Sequence, residues 1–487
     1  MYSLLDEMRK INSFFSTLYP GNFGRILNMA KAVTIQEKNP FKSKTLSKLL
    51  IKFSAPAIAG MFANALYNII SRIYVGQDVG AHGLAGITIL FPLGLVYMGF
   101  SALIGVGANA LFSIRLGEKK EDEAQLILGN AFILLAIVSA TLTILSYLFL
   151  DPILGFLGAD NEVLPYARDY ALVVLPGYFL FGIGVGMNNF IRSSGHPKTA
   201  MGTQLIGAFI NLVLGPLFIF AWGWGIKGAA AATVVGQVIS FLWVILFFTG
   251  KRSFYRLKPQ YFRLKKYIAL DSMAIGFSQF AFQLASSTLN VILNHSLLKY
   301  GGNIAISAMG IAVSVNTIVL MPLIGLSQGA QPLIGYNHGA RKYSTSIQTL
   351  KMAIRWGVFI TTAGFLLIET FAYTIAAVFS ADDPALTELA ARVVRILNIM
   401  LPIIPLQVLT TSFFQAINKP LKAAFLSLSR QVLLIIPLVI ILPLFWGLDG
   451  VFYAPVFADT ISTVLALYLL KRFFGKHGQR FFFAKKK

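Results

Sequence analysis

Residues 84–120 read LAGITILFPLGLVYMGFSALIGVGANALFSIRLGEKK, with no charged side chain before Arg115. A helix rises about 1.5 Å per residue, and the hydrocarbon core of a bilayer is about 30 Å thick. The apolar part of this stretch therefore crosses a membrane as one helix. It stops at Gly117, and the turn that follows is basic. Helix is the expected form because lipid offers no partner for a free backbone N–H or C=O, so a spanning segment must satisfy its own. A barrel would need short alternating segments, and the chain has none.

The rest of the chain repeats this pattern. Twelve apolar stretches lie near residues 48–74, 84–113, 124–149, 164–192, 198–221, 226–250, 267–299, 304–336, 346–379, 386–417, 421–445 and 448–472. Hydrophobic residues make up 56% of the 487-residue chain and charged residues 12%. A soluble chain carries roughly 25% charged residues, so lipid must solvate much of this one. The net charge of +22 invites a nucleic-acid reading, but its distribution argues for topology instead. With both termini on one side, 35 of the 41 Lys and Arg fall on that side. The other side keeps Arg72, Arg168, Lys227, Lys299, Arg392 and Arg395. Basic loops stay cytoplasmic, so both termini are expected inside the plasma membrane, with surrounding lipid and no nucleic acid as partner. No long apolar run occurs in residues 1–47, so no cleavable signal peptide is expected there. This segment reads as a cytoplasmic tail or an interfacial helix. Cysteine is absent, which removes disulfides, thiolate metal sites and cysteine nucleophiles.

Three further matches make the chain a duplication at an offset of about 222 residues. Leu116-Gly117-Glu118-Lys119-Lys120 corresponds to His338-Gly339-Ala340-Arg341-Lys342. Gly195-His196-Pro197-Lys198 corresponds to Asn418-Lys419-Pro420, and Gly225-Ile226-Lys227-Gly228 to Gly447-Leu448-Asp449-Gly450. Six spans per half is an even number, so the halves run the same way and their symmetry axis follows the membrane normal, as in parallel-repeat transporters. The expected fold is all-α integral membrane, with twelve transmembrane helices in two pseudo-symmetric six-helix bundles around a central cavity. The expected divisions are a cytoplasmic extension 1–47, lobes 48–250 and 267–472, a basic linker 251–266 and a basic tail 473–487.

The end of the fourth span, Met187-Asn188-Asn189-Phe190-Ile191-Arg192-Ser193-Ser194-Gly195-His196-Pro197-Lys198, and its counterpart Phe413-Phe414-Gln415-Ala416-Ile417-Asn418-Lys419-Pro420 are distinctive. With Leu66-Tyr67-Asn68-Ile69-Ile70-Ser71-Arg72 and Trp446-Gly447-Leu448-Asp449-Gly450, they resemble the MATE (multidrug and toxic-compound extrusion) family, in its MepA-like branch, from about residue 45 to 472. The resemblance implies a cation-driven antiporter that exports amphipathic, often cationic, organic compounds, with Na+ or H+ as coupling ion and no other cofactor. A monomer is expected. The resemblance also implies an Asp in span one, an Asn and an Asp four residues apart in span five, and a Thr in span six. Those positions are Ser71, Asn211, Gly215 and Thr233 here. Both acids are gone, so these neutral groups are weakened candidates for an ion site.

Three acids fall in or near spans: Asp271, Glu369 and Asp459. Asp459 lies deepest, at the repeat position of Gln237. Burying such a group costs at least about 2.5 kcal/mol, so it faces protein or water, as an ion-coupling group or as a helix-to-helix bonding group. Asn64, Tyr67 and Asn68 share one face of span one, and Gln279, Gln283 and Ser286 share one face of span seven. These faces are expected to meet across the axis, lining a cavity or bonding between helices, and Asn188 has the same two readings. The spans hold few internal Lys or Arg. A lipid-linked precursor flippase of the same superfamily, which would carry a strongly basic cavity, is the rival reading. A membrane enzyme is remote: no HExxH, GxSxG or paired intramembrane aspartates occur.

Overall fold

The computed structural model describes residues 45–78, 80–159, 161–250, 253–380 and 384–476, apart from the side chains of 66–73, 75–85, 303, 380 and 476. Most of the 1–47 extension and of the 473–487 tail lies outside the described residues. Contacts divide the chain into residues 1–49 and 50–487, and the second unit holds everything that follows. The described residues are helical, with no strand among them.

The helices are α1 (Leu46–Asp78), α2 (Gly80–Gly117), α3 (Glu121–Leu148), α4 (Leu164–Ser193), α5 (Pro197–Pro216, continued by a π-helical turn Leu217–Ala221) and α6 (Gly225–Thr249). The second half brings α7 (Lys266–Gly302), α8 (Ile304–Gly339), α9 (Tyr343–Ser380), α10 (in two pieces, Pro384–Asn398 and Ile404–Ala416), α11 (Pro420–Trp446) and α12 (Leu448–Lys476). Among the described residues, 11 helices are long and apolar enough to cross a membrane. The expected span 386–417 is the exception, because α10 is broken. Pro402 and Pro405 carry no N–H, so neither can supply the regular fourth-residue hydrogen bond. The Asn398 carbonyl accepts from the Leu401 N–H instead, at 3.0 Å. Asn316 Nδ2 on α8 reaches Asn398 Oδ1 at 2.8 Å and ties the break to its neighbour.

The duplication is visible in the turns. Lys119 N–H bonds Leu116 O and Lys120 N–H bonds Arg115 O; in the second half Arg341 N–H bonds His338 O and Lys342 N–H bonds Asn337 O. Lys119 and Arg341 both sit in the left-handed region, at φ 62 and 59. The turn after α4 repeats after α10: Gly195 N–H to Arg192 O and His196 N–H to Ile191 O, against Asn418 N–H to Gln415 O and Lys419 N–H to Phe414 O. Each turn returns two amides to the last helical carbonyls, as αL helix endings do. In the second pair a proline then opens the next helix, where a missing N–H costs nothing.

The lobes meet by glycine. A Cβ on Gly107 would collide with Ser272 O on α7, and one on Gly276 with Leu103 O on α2. The symmetry mates of these contacts join α1 to α8, where a Cβ on Gly329 would strike Ser54 Oγ and one on Gly325 would lie 2.6 Å from Ile58 Cα. On the axis itself, Gly117 abuts Tyr336 O and Gly339 abuts Ile114 O. Small residues let backbones approach where hydrophobicity gives no drive for association, because lipid is as apolar as leucine. The expected meeting of the polar faces of α1 and α7 rests in part on Tyr67 and Asn68, whose side chains lie outside the described residues. Twofold symmetry pairs α1 with α8 and α2 with α7, since each helix meets the mate of its neighbour.

The segment between the lobes is strapped to α3. Asn130, buried, accepts from Lys265 N–H at 2.6 Å and donates to Leu126 O at 2.9 Å and Arg263 O at 3.1 Å. Phe262 stacks on Phe132 at 5.7 Å, and Tyr255 meets Phe112 edge-on at 5.3 Å. Burial pushes the Tyr255 phenol well above its ordinary range, with the Glu121 carboxylate adding to the rise. Replacing Asn130 by Ala orphans the Lys265 N–H and the Arg263 carbonyl. Thermal unfolding in detergent should register a loss of about 1–3 kcal/mol.

Candidate functional site

The first lobe holds Asn211 and Thr233 together. Asn211 Nδ2 donates to Thr233 Oγ1 at 2.9 Å, and Thr233 in turn donates to Ala229 O at 3.0 Å. Gly215, one turn on, faces the Tyr74 ring: a Cβ there would lie 3.4 Å from Tyr74 Cδ2 and 3.9 Å from Asn211 Oδ1. Tyr74 also meets the Phe220 ring edge-on, at 6.2 Å. An aromatic face thus borders the position where the resemblance implies a carboxylate. What remains is an interhelical hydrogen bond between α5 and α6. Tyr67, Asn68 and Ser71 lie on α1, but their side chains are outside the described residues.

The second lobe holds what the sequence reading missed. Asp459 is buried, and Arg430 on α11 grips both of its oxygens, Nε on Oδ1 and Nη2 on Oδ2, the latter at 3.2 Å. The tally of 35 cytoplasmic Lys and Arg counts Arg430 among the basic loop residues; it belongs to the span. It stands ten residues into α11, about 15 Å along the helix, on a π-helical turn Ser429–Ile435. Pro437, just beyond, lacks an N–H, and such gaps favour widened turns. The apolar run from Leu421 to Phe445 contained the signal, since an arginine that deep needs a partner. Removing one member of a buried pair costs about 3–5 kcal/mol, because the other is stranded.

Polar bonds tie α7 to α10 and α11 in the same lobe. Gln431 Nε2 reaches Ser286 Oγ on α7 at 3.0 Å, Gln415 Nε2 reaches Ser278 Oγ at 2.8 Å, and Ser427 Oγ bonds Ser278 O at 3.0 Å. Ser286 therefore turns into its own lobe. Gln283 instead packs on α2, where a Cβ on Gly99 would lie 3.6 Å from its Cβ, beside the Phe100–Phe280 ring contact at 4.8 Å. Gln279 is half-buried and Asn64 exposed. Asn188 is buried, with no hydrogen-bond partner for its Oδ1 among the described residues. Asp271 is exposed, near the start of α7. Glu369 pairs with Arg395 at 3.7 Å on the surface, away from Asp459.

Along the seam between lobes, the end bearing the basic turns is shut by the glycine contacts. Past Phe280 the character changes. Asn290 and Asn294 on α7 and Ser307 and Ser314 on α8 are exposed. Such groups at membrane depth would favour water over lipid.

A family model, MatE, matches residues 56–217 and 274–441. The multidrug export protein MepA of Staphylococcus haemolyticus is 25% identical over 433 residues, covering 88% of this chain and 94% of its own. The protein of the same name from Staphylococcus aureus strain N315 is 26% identical over 444 residues, covering 88% and 95%. Among solved structures, an outward-facing multidrug resistance MATE family transporter of the MOP superfamily superposes with a TM-score of 0.84 at 25% identity, covering 88% and 96%. A MOP superfamily transporter from Pyrococcus furiosus, described by the reverse polarity of its binding pocket, does so at 0.83, with the same coverage and identity.

Two outcomes follow from this geometry. Gly339→Val should hold the basic end ajar. On this cysteine-free chain, Ser272→Cys should then label with a membrane-impermeant thiol reagent from that end several times faster than it does with Gly339 intact. Restoring the acids, as Ser71→Asp with Gly215→Asp, should create sodium or proton binding measurable by calorimetry, and unchanged ion affinity would disprove the assignment of these positions.

Proposed function

The chain belongs to the MatE family, and from that premise we propose that it is an antiporter of the plasma membrane, exporting amphipathic organic compounds, cations among them. The driving force is a proton or sodium gradient, and the two lobes alternate access to the cleft between them. Both termini lie in the cytoplasm, because the basic turns mark the inner face. A single chain suffices, since each lobe supplies half of the seam and the cleft.

One observation supports this reading: close backbone approaches join the lobes toward the basic end, and exposed polar groups follow along α7 and α8 beyond it. An exporter poised to release outward has this arrangement. Closure is cheap to reverse, because the glycine contacts interlock no long side chains. The polar groups beyond the seam are amides and hydroxyls, which hold varied ligands without choosing one shape. A flippase of anionic lipid-linked precursors would be served by a strongly basic cleft. The arginine inside the second lobe is neutralised by its aspartate, so it gives that reading no support.

Bacterial cells loaded with ethidium should lose fluorescence several-fold faster when they express the chain, and a protonophore should abolish the difference. No change across several dyes would redirect the reading toward a private metabolite.

A further inference from the structure

Resting on the exporter reading, we propose that the Arg430–Asp459 pair is this transporter's proton site, and that protonation turns a neutral pair into a positive charge that drives an organic cation out of the cleft. Asp459 is the carboxylate buried at mid-span among the described residues. Asp271 is exposed near one helix end, and Glu369 is held at the surface by Arg395.

Occupancy separates a proton from a metal cation here. Guanidinium nitrogens hold both oxygens of Asp459. A sodium ion needs a shell of several oxygens, so it would have to strip Arg430 away without finding a second carboxylate. A proton needs one lone pair. Among the described residues, the neighbouring helices bring no further charge against the pair: α7 brings Ser286, α10 brings Gln407, and α12 adds Ser462, Thr463 and, two turns away, Tyr453. Lys422, on α11 itself, stands about two turns from Arg430, over the rings of Phe414 and Phe473. Of the charges of α10, Arg392 pairs with Asp449 and Arg395 with Glu369, and Glu388 is exposed near the start of the helix. His295 of α7 is exposed, nine residues along from Ser286. On α8, the residues from Ile304 to Gln331 include no charged side chain.

The step is simple. A proton adds to one Asp459 oxygen, the two hydrogen bonds from Arg430 are released, and no other bond changes. Arg430 keeps its protons, so the lobe gains one positive charge. Two features give the freed guanidinium somewhere to go. Its side chain is 18% exposed against 6% for Asp459, so the guanidinium has more room to move than the carboxylate. Gln431 Oε1, one residue along, and Thr463 Oγ1, one turn from Asp459, are buried oxygens without a partner among the described residues. A neutral pair tolerates a cation nearby and a positive one repels it. Proton and organic cation thereby oppose each other's binding across the second lobe, which antiport requires.

Purified full-length protein tests this by infrared difference spectroscopy and by tetraphenylphosphonium transport in liposomes. The C=O band of a protonated carboxylic acid should appear as pH falls, vanish in Asp459→Asn, and ignore sodium. Arg430→Lys, which keeps a cation but loses the fork, should retain the band with a shifted midpoint. An imposed pH gradient should drive tetraphenylphosphonium accumulation and a sodium gradient should not. Asp459→Asn, which leaves Arg430 uncompensated as protonation does, should reduce both the driven accumulation and tetraphenylphosphonium binding at least tenfold. A band that survives Asp459→Asn, a band suppressed by sodium at fixed pH, or undiminished pH-driven accumulation in that variant would each overturn the proposal. A titrating band in a protein that moves no tetraphenylphosphonium would uphold the proton site and overturn both the expulsion step and the exporter reading for cations.

Discussion

Lipid supplies no hydrogen bonds, and every feature of this chain answers to that scarcity. Backbone groups are satisfied within helices, and the helix ends are finished by αL turns that return amides to the last carbonyls. Where proline breaks the ladder, as in α10, nearby donors repair it: Leu401 serves the Asn398 carbonyl and Asn316 serves the Asn398 side chain. Charge obeys the same rule more severely. The arginine and the aspartate at mid-membrane are found gripping each other.

Without a hydrophobic drive between helices, close approach has to hold the lobes together. The contacts of Gly107 and Gly276 recur, through the twofold relation, in those of Ser54 and Gly329. A duplicated sequence thus builds a seam whose two sides are copies. At the glycines the backbones meet directly, and beside them the Phe100 and Phe280 rings pack across the seam. The same closeness that seals one end leaves the other able to part.

The two lobes have diverged in their interiors while keeping their frames. In the first, Asn211 and Thr233 bond each other beside the ring of Tyr74, and no acid remains at the positions of Ser71 and Gly215. In the second, Asp459 occupies the repeat position of Gln237 and has Arg430 as partner. Buried charge thus sits in one copy of the fold and not at the matching place in the other, consistent with the chemistry following the lobe that can still ionise.

Much was legible in the sequence because it depends on neighbours along the chain. Span length, the basic bias, the repeated turn sequences around Lys119 and Arg341 and the duplication are local or periodic properties. Arg430 is visible as a residue but counts with the loops in a topology tally, since a boundary read from hydropathy cannot say which side chain answers it across a lobe. Tertiary structure alone decided that Asp459 is paired, that Ser286 turns to Gln431 instead of the cleft, and that α1 meets α8 while α7 meets α2. The reason is physical: composition and period determine whether a segment enters the membrane, whereas the partner of a buried polar group is set by helices that can lie hundreds of residues apart.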